Sequence, residues 1–249
     1  MDPRLEVIDR RLEKIDRIVG VTGGKGGIGK SSVACGLAVT LAQCGKAVGL
    51  LDLDFCGPST HVILGIKDAQ FVEERGLIPP LVRVSGADHG LRFMSIIHFV
   101  GDSASPLRGT DVSNAMIELF AITQWGKLDY LILDMPPGLG DAVLDTVRLM
   151  KRAEFLAVTT PSVVALETVK KILRLLIDLK RPVIGVVENM RRGDEPSAQA
   201  ALAPLGVPFL GALPFDEAFE RSLGDIATLS ETQFLQALRG ITNEALLRL

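Results

Sequence analysis

The sequence predicts an α/β fold in three layers, with a mostly parallel central sheet covered by helices on both faces. Three observations predict it. Short apolar runs alternate with helical patterns along the chain, the rhythm of strand–helix units. The glycine-rich segment "VTGGKGGIGKSS" completes the first run and opens a good helical pattern. Later runs end in polar residues able to carry chemistry, at the edge where a parallel sheet gathers its ligand-binding loops.

Taken in order, Leu5, Ile8, Leu12 and Ile15 recur at helical spacing, which predicts an amphipathic helix over residues 1–17 with a solvated charged face. "RIVGVT", "AVGLLDLD", "LRFMSI", "LDYLILD", "FLAVTT" and "PVIGVVEN" read as strands, nearly continuous in apolar residues as strands buried on both faces are. The first of them, leading into the glycines, is expected at the centre of the sheet. Residues 66–90 show no clear period and are expected to form an excursion between strands. The stretch 231–249 places Phe234, Leu238, Ile241 and Leu247 near one helical face. Its two acids and two arginines suit an anionic lipid surface poorly, so a terminal helix docked on the domain is expected.

At 249 residues and 47% hydrophobic, the chain can bury a sizeable core, and one domain over 1–249 is expected. A formal charge of −3 supplies no sequence-wide attraction to nucleic acid, and no nucleic-acid partner is expected. The opening residues are charged throughout, unlike a secretory signal, and no run approaches the roughly 18 apolar residues of a membrane span, so a cytoplasmic protein is expected. Cys35, Cys44 and Cys56 cannot all pair and form no Cys-x-x-Cys unit, which indicates neither a disulfide scaffold nor a self-contained metal site.

Gly24-Lys25-Gly26-Gly27-Ile28-Gly29-Lys30-Ser31 fits G-x-x-x-x-G-K-[ST], the phosphate loop, and the fold class becomes a P-loop NTPase. Glycines let the backbone turn its N–H groups and the following helix N-terminus, from Ser31 to Ser32, toward phosphate. Lys30 is expected to reach the β- and γ-phosphates of ATP, and the Ser31 hydroxyl to ligate Mg²⁺. "LDYLILD" ends in Asp134, where a carboxylate can hold Mg²⁺ through water. Pro136-Pro137-Gly138 would then form a segment that senses the γ-phosphate, and Asp141 is expected as a helix N-cap. Asn189 ends a further strand, with an amide able to pair with an adenine edge or to cap a loop.

Lys25 departs from the general pattern. In "KGGIGKS" the loop resembles the deviant Walker A motif of the MinD/ParA/nitrogenase iron protein class. The resemblance implies a first lysine that crosses a dimer interface to the partner's nucleotide, a cation delivered to developing phosphoryl charge. It further implies that Asp54 orients or deprotonates the attacking water and that Asp52 supports the Mg²⁺ shell. Pro214 and Asp216 of "ALPFD" would border the base or ribose. For Asp52 and Asp54, turn capping before Gly57-Pro58 is the structural alternative.

Further phrases narrow the resemblance to the Mrp/ApbC family of ATP-binding iron–sulfur carriers. "DFCGPS" is similar to that family's D-x-Y-G-P-S, and "PLRGTDVSNAMIELF" with "WGKLDYLILDMPPGLGD" to its W-R-G-P and W-x-x-L-D-Y-L-I-x-D-x-P-P-G-x-G-D segments. "VTTPSVVALETVKK" and "VIGVVENM" continue it, from about residue 18 to 216. Implied are a homodimeric Mg²⁺-dependent ATPase with ATP and ADP as ligands, a role in iron–sulfur or other metallocofactor assembly, and a client metalloprotein or assembly factor as partner. After "ENM", carriers of the family have a Cys-Pro-x-Cys pair that bridges an iron–sulfur cluster between subunits. Here the chain reads "ENMRRGDEPSAQ", with no cysteine, and serine or carboxylate replaces thiolate poorly. Cys56, where the family commonly has Tyr, is either a thiol ligand or a small residue in a switch loop. Cys35 and Cys44 read as small buried residues. His61, His89 and His98 show no ligand spacing. Arg191 and Arg192 form a docking surface or a solvated turn. Two other functions fit the same fold: a MinD/ParA-like positioning ATPase acting on a membrane, DNA or partner protein, and an ATP-dependent metabolic enzyme.

Overall fold

The structure is a computed structural model that describes residues 2–67, 70–100, 110–193 and 197–247. The chain opens with α1 (Arg4–Leu12), β1 (Ile15–Thr22), α2 (Lys30–Gln43), β2 (Val48–Asp52) and α3 (Thr60–Leu64). The excursion contributes β3 (Val72–Glu73), β4 (Leu77–Ile78) and β5 (Leu81–Val82) before β6 (Leu91–Ser95), α4 (Ile97–Val100), α5 (Thr110–Ile122) and β7 (Leu128–Asp134). There follow α6 (Asp141–Leu149), β8 (Ala153–Thr159), α7 (Val163–Asp178), β9 (Val183–Arg191), α8 (Ala198–Leu202), β10 (Phe209–Pro214), α9 (Glu217–Arg221), α10 (Ile226–Leu229) and α11 (Gln233–Thr242).

Eight strands form one sheet in the order β10-β9-β8-β1-β7-β2-β6-β5, parallel except where β5 pairs with β6. β1 is flanked by β7 and β8, so the strand that delivers the glycine loop is central, as expected. Strands on either side of it carry the other site residues: Asp134 ends the adjacent β7, and one strand further out Asp52 ends β2 and β9 bears Asn189. Strand ends and ligand residues therefore gather along one edge, the geometry that parallel pairing imposes on loops following strands.

α2 is buried on nearly every side, from Val33 to Ala42, because the sheet covers one face and α11 the other. Gly36 makes that approach close, since a Cβ there would lie 2.5 Å from Leu238 Cδ2. Phe234, Leu238 and Ile241 are buried in the same cluster, so the expected terminal helix docks on the core. It is shorter than 231–249, ending at Thr242 and passing into a π-turn over Asn243–Leu247.

The leading helix is also shorter than 1–17. Ile15 fits its apolar stripe, yet it pairs in parallel register with Leu128 and is fully buried as the first residue of β1. β10 is a strand that the apolar pattern does not reveal; Gly211 and Pro214 interrupt it at the sheet edge. Among the described residues no helix is long and apolar enough to cross a membrane.

Candidate functional site

The turn between β1 and α2 is made by Gly27 and Gly29, with φ of 77° and 81°. Both lie in the left-handed region that a side chain disfavours. At Gly29 there is a second reason for glycine, because a Cβ would sit 2.1 Å from Asn189 Nδ2. That amide donates to the Ile28 carbonyl at 3.0 Å, so Asn189, buried near the end of β9, ties the phosphate loop to a strand two positions along the sheet from β1. Gly24 packs as closely on Thr168 of α7. The two lysines differ in their setting: Lys30 is 6% exposed at the first position of α2, whereas Lys25 stands exposed beside Gly26 and Gly27.

Asp52 and Asp134 are Cα partners in the β2–β7 register, and both are fully buried. Asp52 is provided for. Its Oδ2 accepts from the Thr60 hydroxyl at 2.6 Å and the Thr60 N–H at 3.3 Å, and its Oδ1 from the Asp54 N–H at 3.0 Å. Burial still raises its pKa, against the lowering by these donors. Neither carboxylate oxygen of Asp134 has a hydrogen bond of normal geometry. Burial first, and then the charge of Asp52, push its pKa up to about 7, while Ser31 and the Lys30 ammonium pull the other way. A buried anion without donors is costly, and a divalent cation is the group that relieves it. An oxygen-rich set of Ser31, Asp134 and nearby Asp52 suits Mg²⁺.

Asp54 is partly buried, and its Oδ1 accepts the N–H groups of Cys56 at 3.1 Å and Gly57 at 3.0 Å. It therefore caps the turn that carries Cys56, the structural alternative weighed for it. Asp141 is not an N-cap: Gly140 is, and Asp141 is the first helical residue of α6, where its charge favours the helix N-terminus.

Between β9 and β10, Ser32, Asn189, Met190, Pro214, Phe215 and Asp216 help to line a cleft of about 30 Å³, room for little more than a water. Asp216 closes one side through its helix caps, accepting from Ala218 N–H at 2.9 Å and Phe234 N–H at 3.0 Å. A larger cavity, about 580 Å³, opens on the other side of the loop, between Lys25-Gly26-Gly27-Ile28 and Thr160-Pro161-Ser162, with Met190 and Arg192 at its rim.

An iron–sulfur cluster does not fit this chain's thiols. Cys35 is buried within α2, 3.9 Å from the Thr60 carbonyl; Cys44 is exposed at the other end of α2, contrary to the buried place expected; Cys56 is exposed in the loop after β2. Among the described residues no group of three or more His, Cys, Asp or Glu side chains could hold a metal ion. The position after Asn189 and Met190 belongs to Arg191 and Arg192. Residues 106–109, which resemble W-R-G-P, and the side chain of His98 lie outside the described residues.

Sequence alone does not mark Thr60, and it places Glu188 in the informative strand end 188–190 without giving it a role. Thr60 grips Asp52 from eight positions ahead, which no local motif marks. Glu188 is fully buried, accepting from Ala198 N–H and pairing with Arg191 at 3.0 Å. An acid inside the apolar run "VIGVVENM" was the available signal.

Comparison with known proteins agrees with this geometry. The iron-sulfur cluster carrier protein of Aquifex aeolicus is 36% identical over 230 residues, covering 86% of this chain and 62% of that protein, so the chain matches less than two thirds of that relative's length. The nucleotide-binding protein of Archaeoglobus fulgidus, solved in complex with ADP, superposes with a TM-score of 0.75 at 31% identity over 91% of this chain and 93% of that one. The septum site-determining protein MinD of Pyrococcus horikoshii, solved with Mg-ADP, shares the fold with a TM-score of 0.67 at 21% identity, covering 92% and 95%. The family described as "ParA: NUBPL iron-transfer P-loop NTPase" matches residues 14–244. With a complete phosphate loop, an unpartnered acid at the end of β7 and a family match spanning nearly the whole chain, this protein belongs to the NUBPL-type iron-transfer P-loop NTPases of the ParA family.

Proposed function

We propose that the chain is a cytoplasmic, Mg²⁺-dependent ATPase that works as a homodimer, as an accessory factor in iron–sulfur or other metallocofactor assembly. The observation that carries the reading is Asp134, buried and without a hydrogen bond beside Ser31 and Lys30. Ser31 and Asp134 would hold Mg²⁺, with Asp52 in support, and the ion would supply positive charge to the phosphates. Lys30, Gly24–Gly29 and Ser31–Ser32 bind the phosphate chain. Asn189, Pro214 and Asp216 border the base, in a cleft that widens when a nucleotide enters. Lys25, exposed on the loop, reaches the nucleotide of a second copy. Asp54 positions the attacking water, so its turn through Cys56 and Gly57 would loosen or tighten with the nucleotide state.

The names borne by relatives, iron-sulfur cluster carrier among them, support metallocofactor assembly as the setting. One exposed cysteine near the switch loop supplies at most two thiolates to a dimer, short of the four that hold a cluster, so the cluster would be carried by a client and not by this chain. Asp54→Ala tests the reading. It should retain ATP binding, lose phosphate release by about a hundredfold, as loss of a group positioning the nucleophile does, and accumulate as an ATP-bound dimer in light scattering. Hydrolysis by Asp54→Ala at the normal rate sinks the assignment.

A further inference from the structure

On the edge of the sheet opposite the phosphate loop, three arginines share one cavity. The loop follows the end of β1, whereas α1 and Gln124 precede the starts of β1 and β7, where Ile15 pairs with Leu128. The length of β1 therefore sets the two places about 25 Å apart. Val7, Arg10, Arg11, Glu74, Arg75 and Gln124 line a cavity of about 780 Å³ there. Its walls hold one another. Arg11 Nε donates to the Ala121 carbonyl at 3.1 Å and Arg11 Nη2 to the Arg75 carbonyl at 2.7 Å, while the Gln124 side-chain amide donates to the Glu74 carbonyl. The turn between β3 and β4 is thus fastened to α1 and to the residues that follow α5.

Within that turn Arg75 has a φ of 54°, a left-handed conformation that suits glycine or asparagine and not a long side chain. An arginine kept there against the backbone's preference points to a use for its side chain. The charges are also unequal, since three guanidinium groups line the cavity with a single carboxylate, Glu74. Among the described residues none of these four side chains is in an ion pair. Arg10 uses only its Nε, on the Glu6 carbonyl of its own helix at 3.4 Å, and the Arg75 guanidinium has no acceptor among the described residues. Like charges gathered with so little counter-charge repel one another, and an anion between them removes that cost.

We propose that this cavity is a binding site for a small multivalent oxyanion, a molecule with two or more phosphate or carboxylate groups. The guanidinium fork matches either group through paired hydrogen bonds. The volume is that of a small-molecule pocket. Val7 is the one apolar residue among the described lining residues, which leaves little seat for a base, an acyl chain or the apolar anchor of a peptide. Lying across the sheet from the phosphate loop, the site is separate from the nucleotide and does not rest on the ATPase reading.

The test is calorimetric titration of pyrophosphate and, separately, of citrate into the full chain and into Arg10→Ala, Arg75→Ala, Arg75→Asn and Lys30→Ala. At least one anion should bind the unaltered chain, and whichever binds more tightly identifies phosphate or carboxylate as the preferred group. Arg10→Ala and Arg75→Ala should each weaken it about tenfold, the low end for a hydrogen bond to a charged group, while Lys30→Ala retains it. Both arginines are exposed, so neither substitution disturbs the core. Arg75→Asn suits the left-handed turn and should melt no lower than its parent, yet bind as weakly as Arg75→Ala; an arginine with a merely structural role would not separate the two readouts. Failure of both anions to bind at millimolar concentration overturns the inference. So does binding that Lys30→Ala abolishes and the arginine substitutions leave unchanged, since that places the anion on the phosphate loop. Neither result bears on whether the chain binds ATP.

Discussion

Asp52 and Asp134 end adjacent parallel strands as Cα partners, both fully buried, yet only the Asp52 carboxylate accepts hydrogen bonds of normal geometry. The inequality has a consequence in pH. Asp134 holds its proton more tightly folded than unfolded, up to about 7 against 3.8. Its stabilising contribution is thus complete below the unfolded value and declines as pH rises from about 4 to about 7. At about 1.4 kcal/mol per pH unit the loss is on the order of 1–4 kcal/mol. Asp134→Asn should flatten the decline and melt above the unaltered metal-free protein at pH 8, while Mg²⁺ with ADP should restabilise the unaltered protein at that pH and not the variant. Identical melting profiles for the two proteins would show that this carboxylate does not govern the pH dependence.

The two lysines should separate binding from turnover. Lys30 is buried at the start of α2, so Lys30→Ala removes a cation from inside the phosphate site and should weaken ATP binding tenfold or more, about the worth of a charge-assisted contact. Lys25 is exposed on the loop, where it lines the wider cavity with Gly26 and Gly27. Lys25→Ala should bind ATP with nearly normal affinity as a monomer and lose about a hundredfold or more in turnover, by analogy with a cation supplied in trans. Rate per subunit should rise with protein concentration in the unaltered protein. A rate independent of concentration and unaffected by Lys25→Ala would return this residue to the role of a solvated loop lysine.

The fold was legible where one period dominated. The six apolar runs became strands because parallel strands covered on both faces need no polar alternation, and three of them ended in Asp54, Asp134 and Asn189. β10 was missed because Gly211 and Pro214 break its pattern at an edge, and the leading helix was overextended because Ile15 fits a helical stripe as well as a strand end. Within the site, the loop glycines and the terminal carboxylates could be read from local spacing. What Asp52 touches could not, since Thr60 reaches it only after the chain turns back through Gly57-Pro58. The stacking of Arg192 on Phe215 joins residues 23 positions apart and is created by β9–β10 pairing, which no local pattern announces.

Gly29→Ala should damage the site without unfolding the core. Its φ of 81° costs an L side chain roughly 1–2 kcal/mol, and the added Cβ would displace the Asn189 amide from the Ile28 carbonyl. Nucleotide affinity should fall at least as far as in Asn189→Ala, because the same bond is lost and the turn is strained as well. Far-ultraviolet circular dichroism should remain that of the parent, since Gly29 faces the loop and not the sheet. A Gly29→Ala protein that binds ATP normally would mean that the Asn189 contact is not needed to shape the loop.

Cys35 lies inside α2 against the Thr60 carbonyl, and burial pushes its thiol pKa well up, so it is neither a thiolate nor reachable. Cys44 and Cys56 sit at the far end of α2 and in the loop after β2, too separate to share one cluster within a chain. Anaerobic reconstitution with iron and sulfide should therefore yield no stable chromophore, and Cys56→Ser should hydrolyse ATP like its parent. A cluster absorbance that survives desalting and vanishes in Cys56→Ser would instead place the cargo at the dimer interface, bridged through the loop that Asp54 caps. If no chromophore forms, the thiolates must come from elsewhere, and the Asp54→Ala protein held in ATP is the form in which a cysteine-bearing client should remain bound long enough to be isolated.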